Sequence, residues 1–168
     1  GGKMTDKGKA YTALSRALKL EQDGLRFYLR AVRQTADEKG RAMFKSLADD
    51  ERMHLDMIKR QLHALGAEGS YVLLPDIDVP DIDLEEKLFP PEREQVEAKI
   101  GMEPGELDAL HLALDNENKS YALYVAAAQE TDDEAGKQIY LWLADAERTH
   151  FNLLMSNYTS LVSTGGWV

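Results

Sequence analysis

A glutamate and a histidine stand three residues apart inside an apolar helical pattern, and this arrangement occurs twice in the chain. The first copy is "LADDERMHLDMI", residues 47–58, and the second is "LADAERTHFNLL", residues 143–154. Residues three apart share a helix face, so Glu51 and His54 point to one side of their helix, as do Glu147 and His150. Carboxylates and imidazoles are ligands of transition metals, so the repeated pattern predicts a metal site with two halves.

The repeat extends well beyond these two phrases. Residues 21–58 align with residues 117–154 at a constant offset of 96, without a gap, and 13 of the 38 positions are identical. The identical positions include two further acidic residues, Glu21 and Glu117, and two tyrosines, Tyr28 and Tyr124. A duplicated helical hairpin explains this alignment, with its two copies packed about a pseudo-two-fold axis.

Four long segments without proline carry helical periodicity and predict helices at residues 6–35, 38–65, 104–130 and 133–162. The short breaks "TADEKG" and "TDDEAG" make each pair an antiparallel hairpin. All five prolines fall between residues 75 and 104, so residues 66–103 are predicted to form a crossover connector with room for a short helix over 92–100. The predicted fold class is all-α, a ferritin-like four-helix bundle with a long crossover between helices 2 and 3.

In each predicted helix one Glu occupies a middle position of the inward-facing apolar stripe. The stripe of the first helix reads Tyr11, Leu14, Leu18, Glu21, Leu25, Tyr28 and Val32. A salt bridge would be the simpler interpretation of one such Glu, but no Lys or Arg lies on the four stripes. Four buried carboxylates are strongly destabilising unless each is paired, protonated or bound to metal. Two divalent ions would balance their charge, and the two imidazoles would complete the coordination.

The helix phrases "LEQDGLRFYLRA", "LADDERMH" and "LADAERTH" resemble those of the ferritin-like di-iron carboxylate superfamily, and most closely its rubrerythrin-type branch. The resemblance covers nearly the whole chain outside the connector. It implies two bound iron ions, with manganese or a mixed iron–manganese pair as alternatives. The metal ligands that it implies are Glu21, Glu51, His54, Glu117, Glu147 and His150. Glu51 and Glu147 would be the bridging carboxylates.

Tyr28 and Tyr124 stand seven residues after Glu21 and Glu117 on the same stripes. The resemblance implies that the tyrosine hydroxyls hydrogen-bond to ligand carboxylates; electron supply during oxygen activation and plain core packing are the alternatives. Ser120 stands where rubrerythrins usually carry an additional carboxylate, to which one iron can shift. The sequence also has no cysteine, hence no four-cysteine rubredoxin domain, and we expect an external electron donor such as a rubredoxin-like protein.

The resemblance implies a non-haem di-iron oxidoreductase that reduces hydrogen peroxide or dioxygen. A ferroxidase or other iron-handling protein, and a binding or structural protein that metal merely stabilises, stay open as alternatives. The remaining polar residues are predicted to be bystanders. His63 and His111 lie off the stripes, and Arg52, Arg148, Asp49 and Asp50 are predicted to face solvent, each Arg pairing with an Asp three residues before it.

A formal net charge of -10 argues against nucleic acid and against an anionic membrane surface as partners. No apolar run is long enough to span a bilayer, and the absence of cysteine fits a reducing compartment. We therefore expect one cytoplasmic domain over residues 4–168, and by resemblance a homodimer or higher homo-oligomer. Residues 1–3, which precede Met4, are expected to be a remnant of cloning.

Overall fold

Four long helices form a bundle in a computed structural model that describes residues 6–92 and 104–168. Helix α1 spans Asp6–Gln34, α2 Glu38–Glu68, α3 Pro104–Glu130 and α4 Glu134–Thr164. Helix α1 packs along α2, α3 packs along α4, and α1 also contacts α3. The prediction of an all-α four-helix bundle is confirmed. The short helix predicted over residues 92–100 lies, from residue 93 onward, outside the described residues, as do residues 1–3.

Equivalent residues begin and end the second helix of each hairpin. Asp37 and Asp133 accept hydrogen bonds from backbone N–H groups in the first turns of α2 and α4, which satisfies donors that have no partner inside a helix. Gly69 and Gly165, both at φ 80, end the same helices in the left-handed conformation that glycine adopts without strain. Each pair of residues is separated by the offset of 96 found in the sequence.

The duplication continues past the segment that sequence identity defined. The backbone N–H of Val72 donates to Gln61 Oε1 at 2.9 Å, and that of Val168 donates to Asn157 Oδ1 at 3.1 Å. These four residues again form two pairs at the offset of 96. The repeated unit therefore includes the chain that follows α2 and α4, although few residues are identical there.

The stripe of α1 differs from its prediction, whereas the core positions predicted for the other helices are buried: Phe44, Leu47 and Ile58 on α2, Leu107, Leu110, Leu114, Tyr121 and Ala128 on α3, and Tyr140, Leu143 and Leu154 on α4. Tyr11 is 62% exposed, whereas Ala10, Leu14 and Ala17 are buried. The buried stripe still alternates steps of four and three residues, but it takes a step of four from Ala10 to Leu14 and a step of three from Leu14 to Ala17, the reverse of the predicted order. The prediction that Tyr11 belongs to the core is therefore wrong.

The connector follows α4 from one end of the bundle toward the other. Helix α2 continues past its predicted end at residue 65, so the crossover begins at Gly69. The backbone of Leu74 exchanges two hydrogen bonds of 3.0 Å with the Gln138 side chain, and Arg148 donates to the Glu86 carboxylate at 2.9 Å. The described part of the connector thus follows α4 from its first turns to its middle. None of the helices in the described parts of the chain is long and apolar enough to cross a membrane.

Candidate metal centre

Four glutamates and two histidines from all four helices meet in the middle of the bundle, and each is less than 5% exposed. Their ligand-capable atoms form two groups in which all atoms lie within 4.8 Å of one another. The first group is Glu21, Glu51, His54 and Glu147, and the second is Glu51, Glu117, Glu147 and His150. The structure therefore brings together all six residues that the sequence singled out, and Glu51 and Glu147 belong to both groups.

Both imidazoles turn the Nδ1 atom toward the carboxylates. His54 Nδ1 lies 3.4 Å from Glu21 Oε2 and 3.5 Å from Glu147 Oε1, and His150 Nδ1 lies 3.6 Å from Glu117 Oε1. These separations exceed those of ordinary hydrogen bonds. Two atoms that bind one ion at about 2.1 Å each are roughly 3 to 3.5 Å apart, so the spacing suits atoms that share a metal ion.

Every one of the six residues keeps a buried atom without a hydrogen-bond partner among the described residues. These atoms are Glu21 Oε2, Glu51 Oε2, His54 Nδ1, Glu117 Oε2, Glu147 Oε1 and His150 Nδ1. Unpartnered buried polar atoms are rare because each forfeits the hydrogen bonds that it makes with water. A cluster of six, all carboxylate oxygens or imidazole nitrogens, has the composition and the unmet bonding capacity of a metal site. The residues fit a pair of bound metal ions.

Without metal, protons and hydrogen bonds offset the charge of the cluster. Burial, followed by the charges of Glu117 and Glu21, raises the pKa of Glu147 well above its usual value. Burial also opposes the ionisation of Glu117, but the neighbouring Glu147 and His150 outweigh it and lower the pKa of Glu117. Burial lowers the pKa of His150, yet the hydrogen bond with Asp50 and the neighbouring Glu117 carboxylate raise it to about 10. In the metal-free protein, Glu147 therefore holds its proton more tightly than an ordinary carboxyl does, and His150 is a cation at neutral pH.

The side chains of Tyr28 and Tyr124 each form a hydrogen bond with a carboxylate of the other repeat. The Tyr28 hydroxyl on α1 donates to Glu117 Oε1 on α3 at 2.5 Å, and the Tyr124 hydroxyl on α3 donates to Glu21 Oε1 on α1 at 2.6 Å. The hydrogen bonds that the resemblance implies are thus present. Burial, and then the neighbouring carboxylate, raises the pKa of each phenol, which keeps it a donor. The Oε2 atom of each Glu keeps no hydrogen-bond partner among the described residues.

Asp50 is a functional residue that the sequence did not reveal. It was predicted to face solvent, but Asp50 Oδ2 lies 2.9 Å from His150 Nε2. The hydrogen bond with His150 lowers the pKa of Asp50. At the offset of 96 the counterpart is Ala146, and His54 Nε2 has no partner within the described chain. Instead, Trp142 stands edge-on to His54 with ring centroids 5.4 Å apart. The two halves of the site are therefore unequal.

The remaining sequence candidates lie outside the cluster. His63 is exposed, and His111 is buried against Tyr158 and belongs to neither ligand group. Arg52 and Arg148 each form an ion pair with the Asp three residues before it, as predicted. Neither Arg is a member of the cluster.

A cavity of about 210 Å³ lies between α1 and α3 and reaches Glu51 and Glu117. Two small residues at the offset of 96, Gly24 and Ser120, line it. A Cβ atom added at Gly24 would lie 3.3 Å from the Glu51 carboxylate, so any larger residue would fill the space beside this ligand. Ser120 leaves open the volume that the longer side chain of a glutamate would occupy.

Of three comparisons with known proteins, two found a similar protein, and both agree with this architecture. Residues 12–158 match the family model of rubrerythrin. No curated protein matches the sequence significantly. The solved structure of a hypothetical protein from Pyrococcus furiosus has the same fold, with a TM-score of 0.66 at 22% identity over 90% of this chain and 89% of that one. Because the family model spans most of the sequence, including both Glu-x-x-His phrases, the chain belongs to the rubrerythrin family of the ferritin-like di-iron superfamily.

Proposed function

We propose that the chain is a di-iron oxidoreductase that reduces hydrogen peroxide or dioxygen with electrons from an external donor. The cavity of about 210 Å³ beside Glu51 and Glu117 carries this proposal, because it leaves room for a small substrate next to ligands of the cluster. Two ferrous ions held by the six residues would supply a pair of electrons to the O–O bond. Reduction of hydrogen peroxide then needs two electrons and two protons and yields two water molecules.

The residues of the chain prepare the site for this chemistry. The carboxylates hold the ions, and Tyr28 and Tyr124 fix the orientation of one carboxylate in each half through their hydrogen bonds. Burial keeps bulk water away from the cluster, which strengthens the electrostatic interactions within it. Ser120, Asn116 and Lys119 supply polar groups to the cavity wall, where a small oxygen species needs hydrogen-bond partners.

Metal analysis of the natively expressed protein, combined with stopped-flow mixing of its ferrous form with peroxide and with dioxygen, tests the proposal. We expect two irons per chain and repeated turnover of peroxide with a supplied reductant, while both irons stay bound. A protein without bound transition metal, or one whose ferrous form reacts with neither oxidant, would contradict the proposal. The homo-oligomer, the rubredoxin-like donor and the cytoplasmic location stay predictions.

Iron oxidation for storage is a second candidate function, favoured by one observation. The Asp50 side chain is 43% exposed and contacts the buried His150. Its carboxylate can therefore bind a ferrous ion from solvent before the ion enters the cluster. A storage ferroxidase oxidises many Fe(II) ions per site and assembles into a shell or ring. Metal that raises the melting temperature without either activity would instead favour the structural alternative.

Replacing Asp50 is expected to weaken metal binding at one half of the site. In Asp50→Asn, His150 Nε2 loses its charged acceptor, and loss of such a partner typically costs about 10- to 100-fold in metal affinity. A stepwise calorimetric titration of the wild type with Zn²⁺ should show a tighter and a weaker ion, because His54 has no equivalent partner in the described chain. In Asp50→Asn the two affinities should converge. Asp49→Asn, which affects only an exposed ion pair with Arg52, is the control and should bind like the wild type.

A further inference from the structure

Three tyrosines link the candidate metal centre to the end of the bundle. The Tyr124 hydroxyl, which is bonded to Glu21, belongs to a ring stacked on Tyr140 with centroids 6.4 Å apart and planes 24° apart. The hydroxyl oxygens of Tyr140 and Tyr71 lie 2.7 Å apart. Tyr71 is half-buried and comes from the connector just after α2. The aromatic column is therefore continuous from a candidate ligand to a residue that solvent reaches.

A second aromatic column, related to the first by the offset of 96, contains Phe44, a residue that is hard to oxidise. At the offset of 96, Tyr28 corresponds to Tyr124, Phe44 to Tyr140, and Trp167 to Tyr71. Phe44 stacks on Tyr28 at 6.2 Å and meets Trp167 edge-on at 5.7 Å, so the geometry is repeated without the central hydroxyl. A benzene ring has no phenolic proton to give up together with an electron. Only the column that ends at Tyr71 consists of tyrosines throughout.

The tyrosine column opens into a cavity of about 440 Å³ at the end of the bundle. Tyr71 and Tyr140 line this cavity together with the apolar side chains of Ala10, Ala13 and Leu65, and charged residues complete its wall: Asp6, Lys7, Lys9, Glu130, Asp132 and Asp133. Its volume lies within the range of small-molecule sites, which are mostly apolar with a few oriented polar groups. The close fit of Tyr71 depends on Gly136, since a Cβ atom there would lie 2.9 Å from the Tyr71 ring.

We propose that Tyr124, Tyr140 and Tyr71 relay electrons to the metal centre from a small phenolic donor, of the hydroquinone type, that binds in the cavity at the end of the bundle. This inference rests on the proposed peroxide reduction and assigns the chemical class and the binding site of its electron donor. A planar phenol suits the cavity because the apolar side chains can contact its ring, while the hydroxyl groups of Tyr71 and Tyr140 and the charged groups of the wall can bond to its hydroxyl.

Each pass of the relay moves one electron and one proton. Tyr124 gives an electron toward the oxidised centre while its phenolic proton passes to Glu21, and both are restored when an electron follows through the stacked Tyr140 ring. The Tyr140–Tyr71 hydroxyl pair thereby loses one electron and releases one proton to cavity water, which leaves a phenoxyl radical on Tyr71. The donor then returns a hydrogen atom to Tyr71. Two passes oxidise two donor molecules by one electron each and release two protons at the cavity, while one hydrogen peroxide takes up the two electrons and two protons from solvent and becomes two water molecules.

Freeze-quench electron paramagnetic resonance and spin trapping test the relay in the iron-loaded protein. Mixing with hydrogen peroxide in the absence of donor should give a tyrosyl radical, and peptide mapping of a nitroso spin-trap adduct should locate it at Tyr71. In Tyr140→Phe the ring and its stacking remain but the hydroxyl is lost, so the adduct at Tyr71 should disappear. Oxidation of added hydroquinone should slow by roughly tenfold or more, as expected when a proton-transfer partner is removed. Tyr71→Phe should have the same effect on hydroquinone oxidation.

Tyr11→Phe is the matched control, because Tyr11 is an exposed tyrosine that does not line the cavity. It should keep both the adduct and the hydroquinone rate of the wild type. An unchanged rate and adduct in Tyr140→Phe, with two irons bound, would overturn the relay but leave peroxide reduction intact. Failure of the wild type to bind iron or to consume peroxide with any reductant would instead overturn the proposed function. Iron content, measured for every variant, separates the two outcomes.

Discussion

Glu51→Gln is expected to abolish tight binding of both metal ions while leaving the metal-free protein at least as stable as the wild type. Glu51 belongs to both ligand groups, so the loss of its charge affects both ions at once. The effect on affinity should exceed the roughly 100-fold that removal of a hydrogen-bond partner of a ligand can cost. Glutamine keeps the volume of the side chain, so the substitution leaves no cavity.

The stability of the metal-free variant should change in the opposite direction. In the wild type, Glu51 is 3% exposed and its Oε2 has no hydrogen-bond partner among the described residues. A buried carboxylate that lacks a hydrogen-bond partner is costly, so a neutral amide of similar volume should leave the metal-free protein at least as stable. A residue that served only to hold the bundle together would instead destabilise the metal-free protein when changed.

Metal content after dialysis and thermal unfolding with and without Zn²⁺ measure both effects of Glu51→Gln. Glu68→Gln, an exposed substitution at the end of the same helix, is the control and should retain two ions and the metal-induced rise in melting temperature. Two ions bound with wild-type affinity in Glu51→Gln would show that the buried cluster is not where the metals bind.

The ligand cluster was predictable because its signal lies within single helices. A Glu or His at a core position of an apolar stripe conflicts with the hydrophobic pattern, and the conflict occurs four times at equivalent depth. Spacing along one helix fixes which face a residue occupies, so Glu51 and His54 could be assigned to the interior before any helix was placed. The duplication then indicated that Glu147 and His150 meet them there.

Asp50, Tyr140 and Tyr71 could not be assigned in the same way, because their roles depend on distances between elements. Asp50 lies beside Glu51 and off the stripe, and only the approach of α4 to α2 brings it to His150. Tyr140 was predicted as a core residue, which it is, but its contact with Tyr71 depends on the path of the connector. Side chains in connectors have no periodicity from which a partner can be inferred.

Stability should fall with rising pH in the metal-free protein, and bound metal should weaken this dependence. In the metal-free state the pKa of His150 is raised from 6.5 to about 10. A raised pKa means that the folded state binds the proton more tightly, so this stabilisation is complete below pH 6.5 and is lost as the pH rises through about 10. The raised pKa of Glu147 acts in the same direction, whereas the lowered pKa of Glu117 contributes only at more acidic pH. At about 1.4 kcal/mol per pKa unit, the loss amounts to a few kcal/mol.

Metal counteracts this trend because it competes with protons for the same atoms. Binding requires deprotonated carboxylates and neutral imidazoles, so affinity increases with pH, and a free metal concentration of 100 times Kd stabilises the fold by about 2.7 kcal/mol. Between about pH 6.5 and 8.5, the range over which His150 begins to lose its contribution, the melting temperature without metal should fall and the increase caused by Zn²⁺ should grow. His150→Gln should flatten the metal-free profile, whereas His63→Gln, an exposed substitution, should preserve both profiles. A metal-free profile that rises over this interval would mean that His150 is neutral in the folded state, and the cluster would then lack the cation that offsets its carboxylates.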